Sequence, residues 1–472
     1  MRNYGVKVVA LSFILALVGD INAESYKSSS YSSQNQGKES EEDLDNKMFP
    51  YRRASSSINA EDVVAIMVCD GRTILMSKEN TFYVDSARGD QEVEFKDFDS
   101  FSKYPNLLSI DLHQIVLNQE KLNNLKKYIP DTVKNLIVYK CKMEAKDYED
   151  LSDIVAHDDK LISLTVVQPD AKLAEATKII TAASELKSIK YLNFTLGELG
   201  SQSCDSLVTI FDNCSKSLSD LVLGFKNIVP SESYDKMLAK LKDLENIKKL
   251  EFSVLESTED QVSTFFTSIK NMKKIEDIKF FFDDFAKHDD VKAYHNAQIF
   301  AEALPEFTQL KNLDISGMKL PDSVLQLVFQ SMSKLQKLVK LNVSGNILDK
   351  KTAGALSDAV KEGNSITTLV AKGCEINSES FSELCKSLGG TPLRYVYLSD
   401  NDIGSSVSNF PLAQMNNLML VDLSNNNVAY DDAMKFVELT ADHPNIRVIN
   451  LSRNAPMIAL NGTERSKYNN EF

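Results

Sequence analysis

The chain has 472 residues, 43% of them apolar and 25% charged, with a formal net charge of −14 at pH 7. That composition supports an extensive folded core and excludes a chain that is disordered throughout. The acidic balance disfavours nucleic acid and anionic membrane as general partners, because neutralising phosphate needs Lys and Arg in excess on one face.

In chain order, Arg2 and Lys7 precede an apolar run over residues 8–18, and a small residue, Ala23, follows five residues later. This is a signal-peptide pattern, which predicts cleavage after residues 1–23 and export, periplasmic or extracellular according to the host. The run is too short to span a bilayer, and no later segment approaches the necessary length, so no membrane span is expected. Residues 24–60 are rich in Ser and charge, nearly free of aliphatics, and are expected to form a flexible tail. Residues 61–104 alternate in short runs, VVAIMVC, RTILMS, TFYVDS and EVEFKDF, with Asp70-Gly71 between the first two. Asp-Gly between alternating runs marks a β-hairpin, and a meander here would cover the open end of whatever follows, as a small β-rich cap. The tripeptide Arg88-Gly89-Asp90 lies in a predicted turn; it resembles an integrin-binding sequence, and Gly-Asp is also ordinary turn chemistry.

From Leu107 the pattern changes. LLSIDLHQI at Leu107, VKNLIVYKC at Val133, LISLTVVQP at Leu161, IKYLNFTLG at Ile189, LSDLVLGFK at Leu218, IKKLEFSVL at Ile247 and IEDIKFFFD at Ile275 place aliphatic or aromatic residues at offsets zero, three and five. LKNLDISGM at Leu310, LVKLNVSGN at Leu338, ITTLVAKGC at Ile366, LRYVYLSDN at Leu393, LMLVDLSNN at Leu418 and IRVINLSRN at Ile446 continue the series. These thirteen starts lie 25 to 29 residues apart, with one interval of 35 between Ile275 and Leu310. Within the unit at Leu338, Leu341 and Val343 have the two-residue period of a strand, whereas Ala353, Leu356 and Val360 recur with helical spacing. A strand–turn–helix unit of this size cannot bury its own apolar sides, so its recurrence predicts an α/β solenoid in which neighbours complete the core.

The series resembles leucine-rich repeats, whose pattern is LxxLxLxxN/C, in the long helix-containing subtype of ribonuclease inhibitor and the Ran GTPase-activating protein. The resemblance covers residues 105–456, is closest from Leu338 onward, and leaves residues 457–472 as a C-terminal tail. It implies a horseshoe with parallel strands on the concave face and helices on the convex face. Upstream, Ile115, Pro169, Gly197, Lys226, Leu255 and Asp283 stand at offset eight, where the family has Asn or Cys, so less regular turns are expected there.

Six cysteines would invite a disulfide framework in an exported chain. However, Cys141 and Cys374 occupy offset eight, which in the family is a buried turn residue. Cys204 and Cys214 fall ten residues apart on one predicted helix, about 15 Å along its axis and beyond disulfide reach. Asp283, Asp284, His288, Asp289, Asp290 and His295 crowd the overlong repeat, but the His–His interval is seven and no EF-hand pattern is present, so a solvated acidic insertion is expected and no metal. His113, His157 and His443 are scattered, with no nucleophile motif or phosphate-binding Gly loop beside them, so neither catalysis nor a cofactor is expected. Sequons occur at Asn193, Asn213, Asn342, Asn450 and Asn461; three arise from repetition itself, because offset four is Asn while offset six is Ser or Thr.

If offsets zero, three and five serve the core, offsets two, four and six project from the other face of the sheet. The resulting rows include Asn135, Ile137, Tyr139; Tyr191, Asn193, Thr195; Asp277, Lys279, Phe281; Lys340, Asn342, Ser344; Tyr395, Tyr397, Ser399; and Leu420, Asp422, Ser424. Tyr139, Tyr191, Phe281, Lys340, Tyr395, Tyr397 and Asp422 are the candidate protein-binding residues, with Tyr395 and Tyr397 foremost because tyrosine is favoured at binding hot spots. The expected function is a monomeric, non-catalytic protein that binds a protein ligand. The competing expectation, from the resemblance to the Ran GTPase-activating protein, is regulation of a small GTPase, which the export signal opposes.

Overall fold

In the computed structural model, residues 101–454 are described apart from 102, 158–159, 230, 255–257, 283–289, 363–364 and 441–442, together with four short upstream strands. All of them belong to one unit, Arg52–Phe472. The signal segment, the Ser-rich stretch up to residue 51, the Arg88-Gly89-Asp90 tripeptide, the acidic stretch 283–289 and the C-terminal tail lie outside the described residues.

Thirteen strands form one continuous parallel sheet: β5 Ser109–His113, β6 Asn135–Tyr139, β7 Ser163–Gln168, β8 Tyr191–Leu199, β9 Asp220–Ile228, β10 Lys249–Val254, β11 Asp277–Phe282, β12 Asn312–Asp314, β13 Lys340–Asn342, β14 Thr368–Val370, β15 Tyr395–Tyr397, β16 Leu420–Asp422 and β17 Val448–Asn450. Each strand pairs with the next in the register that the repeat predicts, Asn312 with Lys340, Lys340 with Thr368 and Thr368 with Tyr395. The crossovers carry helices, including α1 Gln119–Tyr128, α2 Asp147–His157, α3 Leu173–Ala183, α4 Ser201–Cys214, α5 Glu232–Lys240, α6 Glu259–Ile269, α7 Asp290–Ala303, α8 Asp322–Ser331, α9 Lys350–Glu362, α10 Ser378–Cys385 and α11 Tyr430–Thr440.

Upstream, β1 Arg52–Arg53, β2 Val63–Cys69, β3 Arg72–Ser77 and β4 Thr81–Asp85 join the same sheet. Strands β2 and β3 are antiparallel across Asp70-Gly71, as the hairpin signal requires, and β3 and β4 are antiparallel in turn. Strand β2 lies parallel to β5, with Cys69 opposite His113, and so continues the sheet beyond its first repeat. The short β1 pairs with the far edge of β4, where backbone groups would otherwise face solvent.

The core lies between sheet and helices. In the unit from Leu338, Leu341, Val343, Leu348, Ala353, Leu356 and Val360 are all fully buried, so strand, turn and helix each contribute to one apolar layer. At the overlong interval, Phe252, Phe265, Phe266, Phe280 and Phe300 pack together with ring centroids 4.5 to 5.6 Å apart. Large rings at offset five of β10 and β11 meet large rings on α6 and α7 in mostly edge-on contacts.

Turns set the middle of the sheet apart from its two ends: at offset seven of the first two repeats Gln114 and Lys140 have positive φ, 52° and 48°. From Leu310 onward, the residue at offset seven has positive φ: Gly317, Gly345, Gly373, Asp400, Asn425 and Arg453, between 53° and 71°. The strands there are three residues long. In β7 to β11, where offset eight is neither Asn nor Cys, the strands extend to between six and nine residues. The unit from Leu393 replaces its helix with 3₁₀ turns at Gly404–Asn409 and Leu412–Gln414, which accounts for its 25-residue interval.

Candidate protein-binding face

The sheet has one face against the helices and one without them. On β10, Lys249, Glu251 and Ser253 are half-buried while Leu250, Phe252 and Val254 are buried, so the alternation of the sequence is the alternation of the faces. Side chains at offsets two, four and six thus form three rows that cross the sheet strand by strand.

The seven residues selected from the sequence all lie on these rows, and their surroundings differ. Tyr395 and Tyr397 stand together on β15, both half-buried. The Tyr395 hydroxyl is 3.8 Å from Met419 Sδ, and the Lys372 ammonium lies 5.3 Å from the centre of the Tyr397 ring. Burial pushes the Tyr397 hydroxyl above its ordinary pKa, and Asp422 and Tyr395 add to the rise. Lys340 is exposed on β13. Phe281, on β11, packs beside Gly317, where an added Cβ would come within 3.1 Å of its ring. Tyr191 stands in register between Ser163 and Asp220, and burial raises its pKa. Asp422 is 9% exposed, and its Oδ1 accepts from the amide and hydroxyl of Ser424, 3.1 and 2.7 Å away. Its carboxylate therefore serves the turn. Tyr139 stacks on His113 with centroids 4.9 Å apart.

Charges alternate across the middle strands. Lys249 stands in register between Asp220 and Asp277, and Lys279 contacts Glu251 at 3.3 Å. Asn312 Nδ2 donates to Asp277 Oδ2 over 3.3 Å, and Asn342 Nδ2 donates to Asp314 Oδ2 over 3.0 Å. Burial raises the pKa of Asp277, with Lys249 and Asn312 opposing the rise.

The sequence-based selection leaves out one pair on the same rows. Offsets four and six of the first repeat are Asp111 and His113, and they are 1% and 6% exposed. His113 Nε2 is 2.5 Å from Asp111 Oδ1, the close polar contact of this buried carboxylate. Burial raises the Asp111 pKa, with His113 opposing. Applying the offset rule to the unit at Leu107 would have exposed the pair.

Below the face, the turns are held by offset-eight side chains. Asn346 Nδ2 donates to the carbonyls of Ile315 and Val343, each over 2.9 Å, and its Oδ1 accepts from the Leu320 amide at 3.0 Å. Asn401 repeats the arrangement with Ala371, Leu398, Cys374 and Ile376. Cys141 and Cys374 fill the same role with a thiol pointing at the carbonyls of Leu112 and Val343. Burial pushes these thiols up to about 11 and about 12, so they remain protonated, and both are free. Cys204 and Cys214 are likewise buried and free on α4.

On the helical side, a groove of about 710 Å³ opens beside α2, α3 and the start of α4, where Lys178 bonds Glu149 at 3.1 Å. It contains none of the sheet-face residues. Among the described residues no group of three His, Cys, Asp or Glu side chains has the placement of a metal site, and no helix is long and apolar enough to cross a membrane.

A scan against protein-family models finds no match, and neither does a search of curated proteins. The class that fold and face define is therefore a repeat solenoid of alternating strands and helices.

Proposed function

We propose that this chain is an exported leucine-rich repeat protein of the ribonuclease-inhibitor-like subtype. Its sheet is the concave side of a horseshoe, β2 to β4 cap the N-terminal end, and the helix-free face binds a protein partner without catalysis. The observation that carries the reading is the register. Side chains from many strands stand in register on a face that no crossover helix covers among the described residues, and the Tyr395–Tyr397 pair offers two half-exposed rings at adjacent row positions. An aromatic pair on a rigid strand is a low-entropy anchor for a partner.

The experiment is affinity capture with the chain lacking residues 1–23, followed by titration of the partner identified. Replacing both tyrosines by Ala should weaken binding by about 2 kcal/mol or more, roughly thirtyfold. Reversing Lys351 and Glu362 on α9 should leave affinity unchanged. Full affinity in the tyrosine variant, with loss in the α9 variant, would move the site to the helices.

A further inference from the structure

Charge divides the helix-free face more sharply than composition does. In the central strands each lysine has acids beside it: Lys279 contacts Glu251, and Lys249 stands between Asp220 and Asp277. Toward the C-terminal end the acids of the face bond to turn and neighbouring polar groups rather than to lysines. Asp314 accepts from the Ser316 amide at 3.0 Å and from Asn342, and Asp422 accepts from Ser424. Lys340 and Lys372 remain exposed on that stretch, and among the described residues neither has a carboxylate within ion-pair distance.

These two lysines border an apolar centre. Val370, on β14, stands beside Tyr397 on one side and Asn342 on the other, and Lys340 is separated from Tyr395 only by Thr368. At a strand spacing of about 4.8 Å, Lys340 and Tyr395 are about 10 Å apart at the backbone, the reach of a short extended peptide. The patch thus presents two exposed ammonium groups outside any close ion pair, with Val370 beside Tyr397 and Tyr395 on the same strand, on a molecule whose net charge is −14.

We infer that the face around β13 to β15 receives an acidic segment of another protein, with carboxylates at Lys340 and Lys372 and an aliphatic side chain on Val370 beside Tyr397. The inference rests on the proposed sheet-face reading and adds the partner's chemistry to it. A nucleic acid fits less well, because two lysines on an acidic body neutralise few phosphates.

The test uses fluorescein-labelled peptides about ten residues long, one pool randomised over Asp, Glu, Leu, Val and Gly, the other over Lys, Arg, Leu, Val and Gly, with an oligothymidine of similar extended length as a third probe. The acidic pool should bind, weaken as salt rises, and lose about tenfold in affinity to the Lys340→Glu/Lys372→Glu variant. Both lysines are exposed, so the variant should keep the wild-type unfolding midpoint. Equal binding of the two pools, or acidic binding unmoved by charge reversal, overturns the inference. If such binding still disappears in the tyrosine-to-Ala variant, the sheet-face reading survives alone. Absence of binding by every probe counts against both, and oligothymidine bound as tightly as the acidic pool through the same residues overturns the assignment to a protein segment.

Discussion

Asn346 and Asp111 are both buried polar residues, and they have opposite consequences. Asn346 is the side-chain partner of the Ile315 carbonyl and the Leu320 amide, so its replacement by Leu would strand both, whereas the Val343 carbonyl keeps the Asn346 amide and the Cys374 thiol. Each buried unpaired group costs about 1 to 3 kcal/mol. Asn346→Leu should therefore lower the urea midpoint markedly, while Asn416→Leu, at an exposed position, should leave it nearly unchanged. Equal midpoints would show that offset eight carries no turn. Asp111 instead is buried with His113 as its close polar contact, and burial outweighs that contact, so its folded pKa lies above its unfolded one. Stability linked to its proton is complete below the ordinary carboxylate pKa, about 3.9, and is lost as pH rises through the folded value. Asp111→Asn keeps the shape of the neutral acid, so it should raise the midpoint relative to wild type at pH 7 and cease to do so near pH 3. Paired urea titrations at the two pH values check this; a variant less stable at pH 7 would mean that the contact with His113 outweighs burial. The asparagines were legible in the sequence because repetition displays them. The place of Asp111 on the face follows from the same rule, but its burial was not legible, because it depends on neighbouring strands rather than on its own unit.

Individual elements show the same division between repeated and local causes. Strand starts and pairing register follow from offsets three and five, which alternate as a strand must. Strand ends depend on whether the chain can enter the left-handed region at offset seven. Gly373 does so at φ +58°, with no atom within 4 Å of an added Cβ, so any cost of replacement there is conformational. Gly373→Val should destabilise by about 1 to 2 kcal/mol. Gly373→Asn should cost much less, since Asn425 holds the equivalent position with φ 53°. Denaturation of both variants tests the difference, and equal losses would point to a steric cause. Where Gly197 and Lys226 replace the turn residue, the expectation of less regular turns becomes a specific result: β8 and β9 continue through that position. The 3₁₀ turns after β15 were not legible as such. Gly404 and Pro411 interrupt the helical period there, but the short interval alone does not say what replaces the helix.

At the scale of the molecule, each unit touches mainly its neighbours, so stability is distributed along one dimension and the ends have support from one side only. The two ends of the described sheet differ. Strand β5 is flanked by β2 and β6 and is buried throughout. Strand β17 pairs only with β16 among the described strands; Val448 is 48% exposed and Ile446 and Ile449 are half-buried. In the middle, β8 and β9 share a long ladder from Tyr191–Asp220 to Leu199–Ile228, over cores that are fully buried. Local opening costs less where fewer apolar contacts break, so amide hydrogen exchange should proceed outward-in from the C-terminal unit. Amides of residues 448–450 should exchange at least about a hundredfold faster than those in the ladder of β8 and β9, a difference of roughly 2.7 kcal/mol in opening free energy. Truncating Leu223 to Ala should narrow this gap by accelerating exchange in β8 to β10 and leave β17 unchanged, because the cavity lies many units away. Uniform protection from β5 to β17 would instead mean that the sheet opens as a single cooperative unit, and the one-dimensional account of its stability would fail.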